Sequence, residues 1–362
     1  MKGDRAGVRR EAAKVCSALP LVQSRARDLG THHHREAKGF EVVTPTEVPP
    51  FGRDEGRTSP SPARRSRAPF PVPRSPFVAV VLAFATICSP SLAAQSPLRA
   101  LSFNIRYGTA NDGDHVWVNR RAHVITTIRD HAPHLLGIQE ALRFQLDEVA
   151  TAMPGYRVVG VGRDDGVRAG EYSAILVDTA RFAVIDEGTF WYSDTPTVPG
   201  SLHWGNRITR IATWARLVDR ATSDTIRFYN THWDHESQPS RQRSAALLLD
   251  RIATDPGPND AILVMGDFNA DEVNPAFTAL LADQRVPLRE SFRGRHQDAT
   301  VVGTFNGFKG DSTGGMIDHI LVGPGWRVLE AGIDRRRFGA LWASDHFAVW
   351  AGLEREKEKK RE

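Results

Sequence analysis

Carboxylates, carboxamides and imidazoles stand at the ends of apolar runs along this chain. Gly266-Asp267-Phe268-Asn269 follows directly on Ala261-Ile262-Leu263-Val264-Met265, so an acid and an amide emerge together from what reads as a buried strand. Asp267 could deprotonate a water while Asn269 holds its orientation; the plainer alternative is an Asx-turn that merely ends the strand. Gln139-Glu140 closes the apolar run His134-Leu135-Leu136-Gly137-Ile138. Glu140 is there either a metal ligand or a surface carboxylate capping a helix near Phe144. Asp318 lies inside Ile317-Asp318-His319-Ile320, where an unpaired carboxylate would be costly. Its natural partner is His346 of Ser344-Asp345-His346, since an Asp beside an imidazole fixes its tautomer and favours its charged form. A purely structural pair is the alternative. Asn230-Thr231-His232 ends a further run, and His232 could contact a phosphate or protonate a leaving oxygen, with Asp234 and His235 shaping the loop or facing solvent.

Together Asn104, Glu140, His232, Asp267, Asn269, Asp318, Asp345 and His346 form a set of hard oxygens with a few imidazoles. A zinc centre would want more His or Cys, whereas Mg²⁺ or Mn²⁺ accepts one or two carboxylates and keeps waters for substrate phosphates. Arg210, ahead of Ala212-Thr213-Trp214-Ala215, is either a phosphate contact, which a guanidinium suits, or an exposed strand-end charge. Trp191, Trp204 and Trp214 are either a stacking platform for a base or sugar or packing between layers, with Trp204 the most loop-like of the three.

These groups need a scaffold, and the pattern supplies one. Leu98–Arg106 alternates as a half-buried strand; apolar positions at Ala122, Ile125 and Ile128 give Arg120–His131 a helical spacing; a buried strand then ends at Gln139-Glu140, and Phe144–Met153 adds a helix. Strands are expected over Tyr156–Val161, Tyr172–Val177, Ala183–Trp191, Ile211–Val218 and Thr225–Thr231. A helix over Arg241–Ala253 leads to the strand before Gly266, and strands follow over Met316–Val322, Trp326–Ala331 and Phe347–Gly352. This α/β order favours two packed sheets flanked by helices.

The 362 residues divide by composition. Residues 1–71 are rich in Arg, Pro, Ser and His, lack apolar periodicity and read as a disordered leader. Arg74-Ser75-Pro76 precedes an apolar stretch from Phe77 to Cys88 and small residues up to Gln95, the pattern of a secretory signal peptide over 72–95. The stretch is too short to span a membrane comfortably. Translation is then expected to start near Val72, with the leader a gene-model artefact and the His32-His33-His34 cluster no metal site. Residues 96–353 read as a single domain, and 354–362 as a mixed-charge tail at a frayed helix end. Cys16 and Cys88 both precede the expected cleavage, which removes disulfides, thiolate zinc and a Cys nucleophile from the secreted or periplasmic protein. The formal charge of +4 is also misleading. Up to residue 76 there are 15 Lys and Arg against 8 Asp and Glu, leaving 32 basic and 35 acidic residues beyond. Strong nonspecific affinity for polyanions is therefore not expected of the folded part.

Asn104, Gln139-Glu140, Asn230-Thr231-His232, Gly266-Asp267-Phe268-Asn269, Ile317-Asp318-His319-Ile320 and Ser344-Asp345-His346 occur in an order that resembles the endonuclease/exonuclease/phosphatase superfamily of metal-dependent phosphoesterases. The resemblance spans Leu98 to Leu353 and implies a four-layered α/β sandwich with the site at one end of both sheets. It implies Glu140 on the metal, with Asn104 and Asp345 beside it, Asp267 and Asn269 on the attacking water, and His346 with Asp318 on the scissile phosphate. His232 is the implied second imidazole, Asn230 a further phosphate clamp, and Glu171 and Tyr172 fall where relatives contact substrate or support the metal site. Arg106 is a departure, because abasic-site endonucleases of the family carry an acidic metal ligand there. Trp117, Arg120-Arg121, Gly170-Glu171 and Gly188-Thr189-Phe190-Trp191-Tyr192-Ser193 resemble bacterial members, and the Trp117/Arg121 stretch also resembles carbon-catabolite-repressor deadenylases. The expectation is a monomeric Mg²⁺- or Mn²⁺-dependent hydrolase of phosphoesters, nuclease-like on DNA or RNA. The alternatives are a phosphatase or phospholipid-type phosphodiesterase on a small substrate and, from another class, a non-catalytic binding module.

Overall fold

Two strand–helix–strand units carry the chain's apolar runs into two sheets. In the computed structural model, which describes residues 96–254, 257 and 260–356, the first unit is β1 (Leu98–Asn104), α1 (Trp117–His131) and β2 (Leu135–Ala141). Next come α2 (Arg143–Ala152), β3 (Tyr156–Val159), β4 (Tyr172–Asp178), β5 (Phe182–Trp191) and β6 (Ile211–Asp219). The second unit is β7 (Thr225–His232), α3 (Gln238–Thr254) and β8 (Ala261–Asp267), followed by α4 (Pro275–Ala282), β9 (Arg289–Glu290), α5 (Ser291–Arg295), β10 (Asp318–Val322), β11 (Trp326–Asp334) and β12 (Ala348–Arg355). The first sheet runs β11-β12-β1-β2-β4-β3 and the second β5-β6-β7-β8-β10-β9. Pairing is parallel between β1 and β2 and between β7 and β8, where a helix makes the crossover, and antiparallel between the other strands.

Three apolar clusters make the layers. One lies between the sheets and holds Leu98, Ile175, Leu217, Phe228, Leu263, Met265 and Val349. A second joins α3 and α4 to the second sheet through Leu248, Ile252, Val264, Phe277 and Leu280. The third joins α1 and α2 to the first sheet through Val124, Ile128, Leu136, Ile138, Leu146 and Val149. The order is helix, sheet, sheet, helix, the four-layered α/β sandwich expected from the sequence.

The strand expectations hold with edges displaced by a few residues. Helix α1 starts at Trp117 rather than Arg120, α3 at Gln238 rather than Arg241, and β10 only at Asp318. Helices α4 and α5 and the two-residue β9 were not expected. Strand β12 continues through Glu354 and Arg355, which pair with Arg327 and Trp326, so the domain extends past 353 and the start of the charged segment is strand, not helix. The expected leader and signal peptide, and residues 357–362, lie outside the described residues. Among the described residues no helix is long and apolar enough to cross a membrane.

Register gathers the polar strand ends. Asn104 pairs with Gln139, His232 with Asp267, and Asp318 with Asp267, so β1, β2, β7 and β8 finish, and β10 begins, at one end of the sandwich. Close approach of β7 and β8 there depends on Gly266: at φ +150° a Cβ would sit 2.0 Å from the Thr231 carbonyl oxygen.

Candidate active site

A cleft of about 650 Å³ opens at that end, lined among others by Glu140, Asp267, Asn269, Asp345 and His346. Glu140 reaches it through backbone distortion. The β2–β4 register slips between Gln139 and Ala141, and Glu140 sits in the slip at φ +64°, a bulge that re-aims one side chain out of the strand's alternation at a cost of about 1 kcal/mol or more for a non-glycine residue. Asn269 also has a positive φ, +46°, and its backbone N–H donates to Asp267 Oδ1 at 2.8 Å while its Nδ2 donates to the Trp233 carbonyl at 3.0 Å. The turn expected after β8 thus exists, and Asn269 lines the cleft beside the carboxylate it caps.

Asp267 is the hub. Its Oδ2 accepts from Asn104 Nδ2 at 3.0 Å and lies 3.5 Å from His232 Nε2 and 3.8 Å from His346 Nε2. Burial pushes its pKa up to about 7, the charge of Asp318 adds to the shift, and His346 opposes it. On the other side of His346, Nδ1 meets Asp318 Oδ2 at 2.8 Å. Burial works against a charged His346, but Asp318 and Asp267 outweigh it and hold the imidazole's pKa well above its ordinary value. His232 goes the opposite way. Burial, with Arg210 and Arg163 adding to it, pushes its pKa well below the ordinary value, and Arg210 Nη1 lies 2.9 Å from Nε2. The two imidazoles are therefore differentiated, one held cationic and one held neutral with its cleft-side nitrogen engaged by a guanidinium.

Not every expected residue reaches the cleft. Asn230 is fully buried; its Nδ2 donates to the carbonyls of Ile138 (3.0 Å) and Ala174 (2.8 Å), and its Oδ1 accepts from Gln139 Nε2 at 2.6 Å. It sits two residues below His232 on the same strand face and ties the two sheets together, so it has no polar atom left for a phosphate clamp. A Cβ at Gly137 would fall 2.7 Å from Asn230 Oδ1, which shows how closely the sheets approach here. Tyr172 is likewise buried, with its hydroxyl on the Val167 carbonyl at 3.0 Å, and it supports the sheet rather than a substrate. Asn104 turns its amide nitrogen, not its oxygen, to the carboxylates: Nδ2 donates to Glu140 Oε1 and Asp267 Oδ2, both at 3.0 Å, and Oδ1 accepts from the Arg106 N–H at 3.0 Å. In this arrangement it bridges the two acids. None of Trp191, Trp204 and Trp214 lines the cleft; Trp191 donates to the Arg163 carbonyl at 2.6 Å, and Trp204 and Trp214 pack on the apolar cluster under α3.

Arg163 and Phe305, which lie on loops, and Arg120, within α1, contribute in ways the sequence does not announce. Arg210 is not an exposed charge: it is buried, engages His232 and His235, and its Nε lies 3.6 Å from Asp234. Arg163 forks onto Glu171 at 2.6 and 2.9 Å, and burial pushes Glu171 up to about 7, Arg163 opposing and Glu140 adding. Phe305, half-exposed, bridges to His346 and packs edge-on against its ring at 5.1 Å. Arg120 is buried entirely, yet donates to the carbonyls of His115, Ile105, Ala343 and Arg106. It thereby ties the end of β1 to the loop that carries Asp345 and His346, a role its helical spacing beside Trp117 could have suggested.

Ligand atoms of Glu140, His232 and Asp267 lie within 4.8 Å of one another, and Asp345 and Glu171 line the same cleft. Burial raises the pKa of Asp267, Glu171 and Asp345 alike, and a neighbouring carboxylate adds to each shift, Asp318 for Asp267 and Glu140 for Glu171 and Asp345, so carboxylates are crowded here. A divalent cation relieves that crowding, and the all-oxygen donors Glu140, Asp267 and Asp345 fit Mg²⁺ or Mn²⁺.

The profile of the endonuclease/exonuclease/phosphatase family matches residues 101–346. No curated protein matches the chain in sequence. Among solved structures, an endonuclease/exonuclease/phosphatase from Bacteroides vulgatus is 32% identical over 72% of this chain and 100% of its own, with a TM-score of 0.67. A mannosyl-6-phosphatase from Bacteroides thetaiotaomicron is also 32% identical, over 71% of this chain and 99% of its own, with a TM-score of 0.64. TDP2 from D. rerio, solved with a single-strand DNA product, shares the fold at 12% identity and a TM-score of 0.58, over 72% of this chain and 100% of its own. With its four layers, its strand-end acids and its Asp318–His346 pair, the chain belongs to the endonuclease/exonuclease/phosphatase family, whose members are typically metal-dependent phosphoesterases.

Proposed function

We propose that the protein hydrolyses the phosphoester of a small phosphorylated substrate with the help of Mg²⁺ or Mn²⁺. The observation that carries this reading is the composition of the cleft: Arg106, Arg163 and Arg210 converge on the same 650 Å³ as Glu140, Asp267 and His346. Each guanidinium is already hydrogen-bonded to a protein group, but together they give the cleft a positive lining that suits the dianion of a phosphomonoester better than the single charge of a diester, and the 32% identity to a mannosyl-6-phosphatase supports a sugar phosphate as the substrate class.

Glu140 and Asp345 would hold the metal, which when bound would supply Lewis-acid polarisation of a phosphoryl oxygen. Asp267, poised near neutrality, accepts the proton of the attacking water, and Asn269 presents its amide beside it. Cationic His346, locked by Asp318, donates to a phosphoryl oxygen as charge develops there. Arg210 orients His232, whose neutral ring is a hydrogen-bonding fixture and not a proton source.

A second reading, cleavage of DNA or RNA, is favoured by Phe305, a half-exposed ring beside His346 that could stack on a base. One panel separates the two: purified full-length chain with Mn²⁺, Mg²⁺ or EDTA on hexose 6-phosphates, a bis-aryl phosphate, sphingomyelin, and single- and double-stranded DNA and RNA. Metal-dependent release of inorganic phosphate from the hexose phosphates is expected, with Asp267→Asn lowering turnover by about 10²-fold or more. Nucleic-acid cleavage without monoesterase activity would transfer the assignment to the second reading, and hydrolysis of nothing would leave a binding module.

A further inference from the structure

Arg106 lines the cleft beside the carboxylates of Glu140 and Asp345. It follows β1 in the left-handed region, at φ +57°, and three hydrogen bonds hold its backbone there: its N–H donates to Asn104 Oδ1, and its carbonyl accepts from Arg120 Nη2 and Gln145 Nε2, each at 3.0 Å. Such a conformation costs a non-glycine residue stability unless the surroundings impose it. The side chain is as firmly placed as the backbone. Nε and Nη2 each donate to Asp112 at 3.2 Å, and the guanidinium lies 4.6 Å from the ring centre of Tyr107. From this position Nη1 is 3.9 Å from Glu140 Oε2 and Nε is 3.7 Å from Asp345 Oδ2. A single fixed cation therefore already faces two of the three carboxylates suited to a divalent ion.

Resting on the metal-dependent reading above, we propose that Arg106 is a resident counter-cation of the Glu140/Asp345 pair that weakens divalent-metal binding. Its charge offsets part of the carboxylate field a metal would use and repels the incoming ion, while Asp112 and Tyr107 keep the guanidinium from turning away freely. The consequence is a centre that takes up and releases its ion readily, rather than one that retains it through purification. Removing only the charge strengthens metal binding, even though an arginine at the rim of a phosphate site would ordinarily be counted as an aid to function.

Isothermal titration calorimetry of Mn²⁺ into the EDTA-stripped, dialysed full-length chain, with no substrate, tests this. Arg106→Gln keeps a polar side chain without the charge and is expected to bind Mn²⁺ about tenfold tighter than the wild type or more, from charge arithmetic at these distances in a partly screened cleft. Arg106→Lys, which keeps the charge, is expected to stay close to the wild type. Circular dichroism and the thermal midpoint in EDTA verify that each variant is folded; if Arg106→Gln is not, Arg106→Asn carries the comparison, because Asn tolerates the left-handed backbone. Equal or weaker Mn²⁺ binding by the neutral variant overturns the proposal, as does the absence of Mn²⁺ binding in every form. Since no turnover is measured, a chain that hydrolyses no phosphoester yet binds Mn²⁺ more tightly as Arg106→Gln would sustain this inference while the functional reading fell.

Discussion

Asn230 and His232 show what a sequence discloses about a site residue and what it withholds. Alternation along a strand puts both on one face, and both follow an apolar run, so the chain announces that they point between the sheets. Depth is not announced. His232 finishes β7 and reaches the cleft, whereas Asn230 is one layer down, spending its amide on Ile138, Ala174 and Gln139. Glu140, Asp267, Asp318 and His346 were legible because each interrupts or ends an apolar run; Arg163, Arg210 and Phe305 owe their places to loop paths that no local pattern encodes. The two roles considered for Asn230 predict different things. As a sheet tie, Asn230→Ala leaves buried carbonyls and the Gln139 amide unpaired, which should cost about 1–3 kcal/mol and lower the thermal midpoint with a modest change in KM. A phosphate clamp would instead raise KM sharply at an unchanged midpoint, and thermal unfolding combined with steady-state kinetics distinguishes them.

The elements were read well where periodicity is long and poorly where a helix is short. Strands β1, β2, β7 and β8 are apolar runs ended by polar residues, and α1 and α3 carry clear helical spacing. Helix α4 was overlooked although Asn274 caps it, accepting from the Ala276 N–H at 2.9 Å, with Pro275 in its first turn; that Asn-Pro start is a recognisable helix signal. Helix α5 spans five residues, too few for any period to emerge. What positions the chemistry, however, is the close apposition of β7 and β8, and Gly266 makes it possible. Gly266→Ala would force a Cβ against the Thr231 carbonyl at a φ that L-residues rarely adopt. The parallel pair would have to separate just where His232 and Asp267 face each other. The variant is expected to lose about 2 kcal/mol or more and most of its turnover, since Asp267 moves with the strand. Wild-type activity and wild-type denaturation midpoint together in Gly266→Ala would show that β8 does not need this approach.

At the scale of the whole molecule, the sandwich buries imidazoles at both ends and holds them in opposite protonation states, so acid stability is set by several sites at once. His134 lies away from the cleft, its Nδ1 accepting from the Arg99 N–H at 2.9 Å. Burial, with Arg181 and Arg99 adding, pushes its pKa down to about 4. His232 and His115 are also lowered, chiefly by burial. For each of these the unfolded chain takes up a proton first, so their contribution is intact above the ordinary imidazole value near 6.5 and is lost as pH falls from there towards the folded value. His346 has the reverse sign: its raised pKa stabilises the fold below about 6.5 and loses that contribution as pH rises through the folded value. Asp334 joins in only at lower pH. Burial alone would raise it, but hydrogen bonds from His131 and Arg336 outweigh that and hold it below the usual carboxylate range, so its contribution is present above about pH 4 and disappears beneath it. Between pH 7.5 and 5 the three lowered histidines oppose the raised His346 and the raised carboxylates Asp267, Glu171 and Asp345, which bind protons in the folded chain first and add stability as pH falls. The contribution of one histidine is therefore read from the difference between variant and wild-type thermal midpoints in EDTA. In His134→Asn the amide oxygen can replace Nδ1 as the acceptor for Arg99 while offering nothing to titrate, so the variant should keep the midpoint at pH 7.5 and lie above the wild type at pH 5. A pH dependence in that variant identical to the wild type's would contradict the burial-driven lowering of His134.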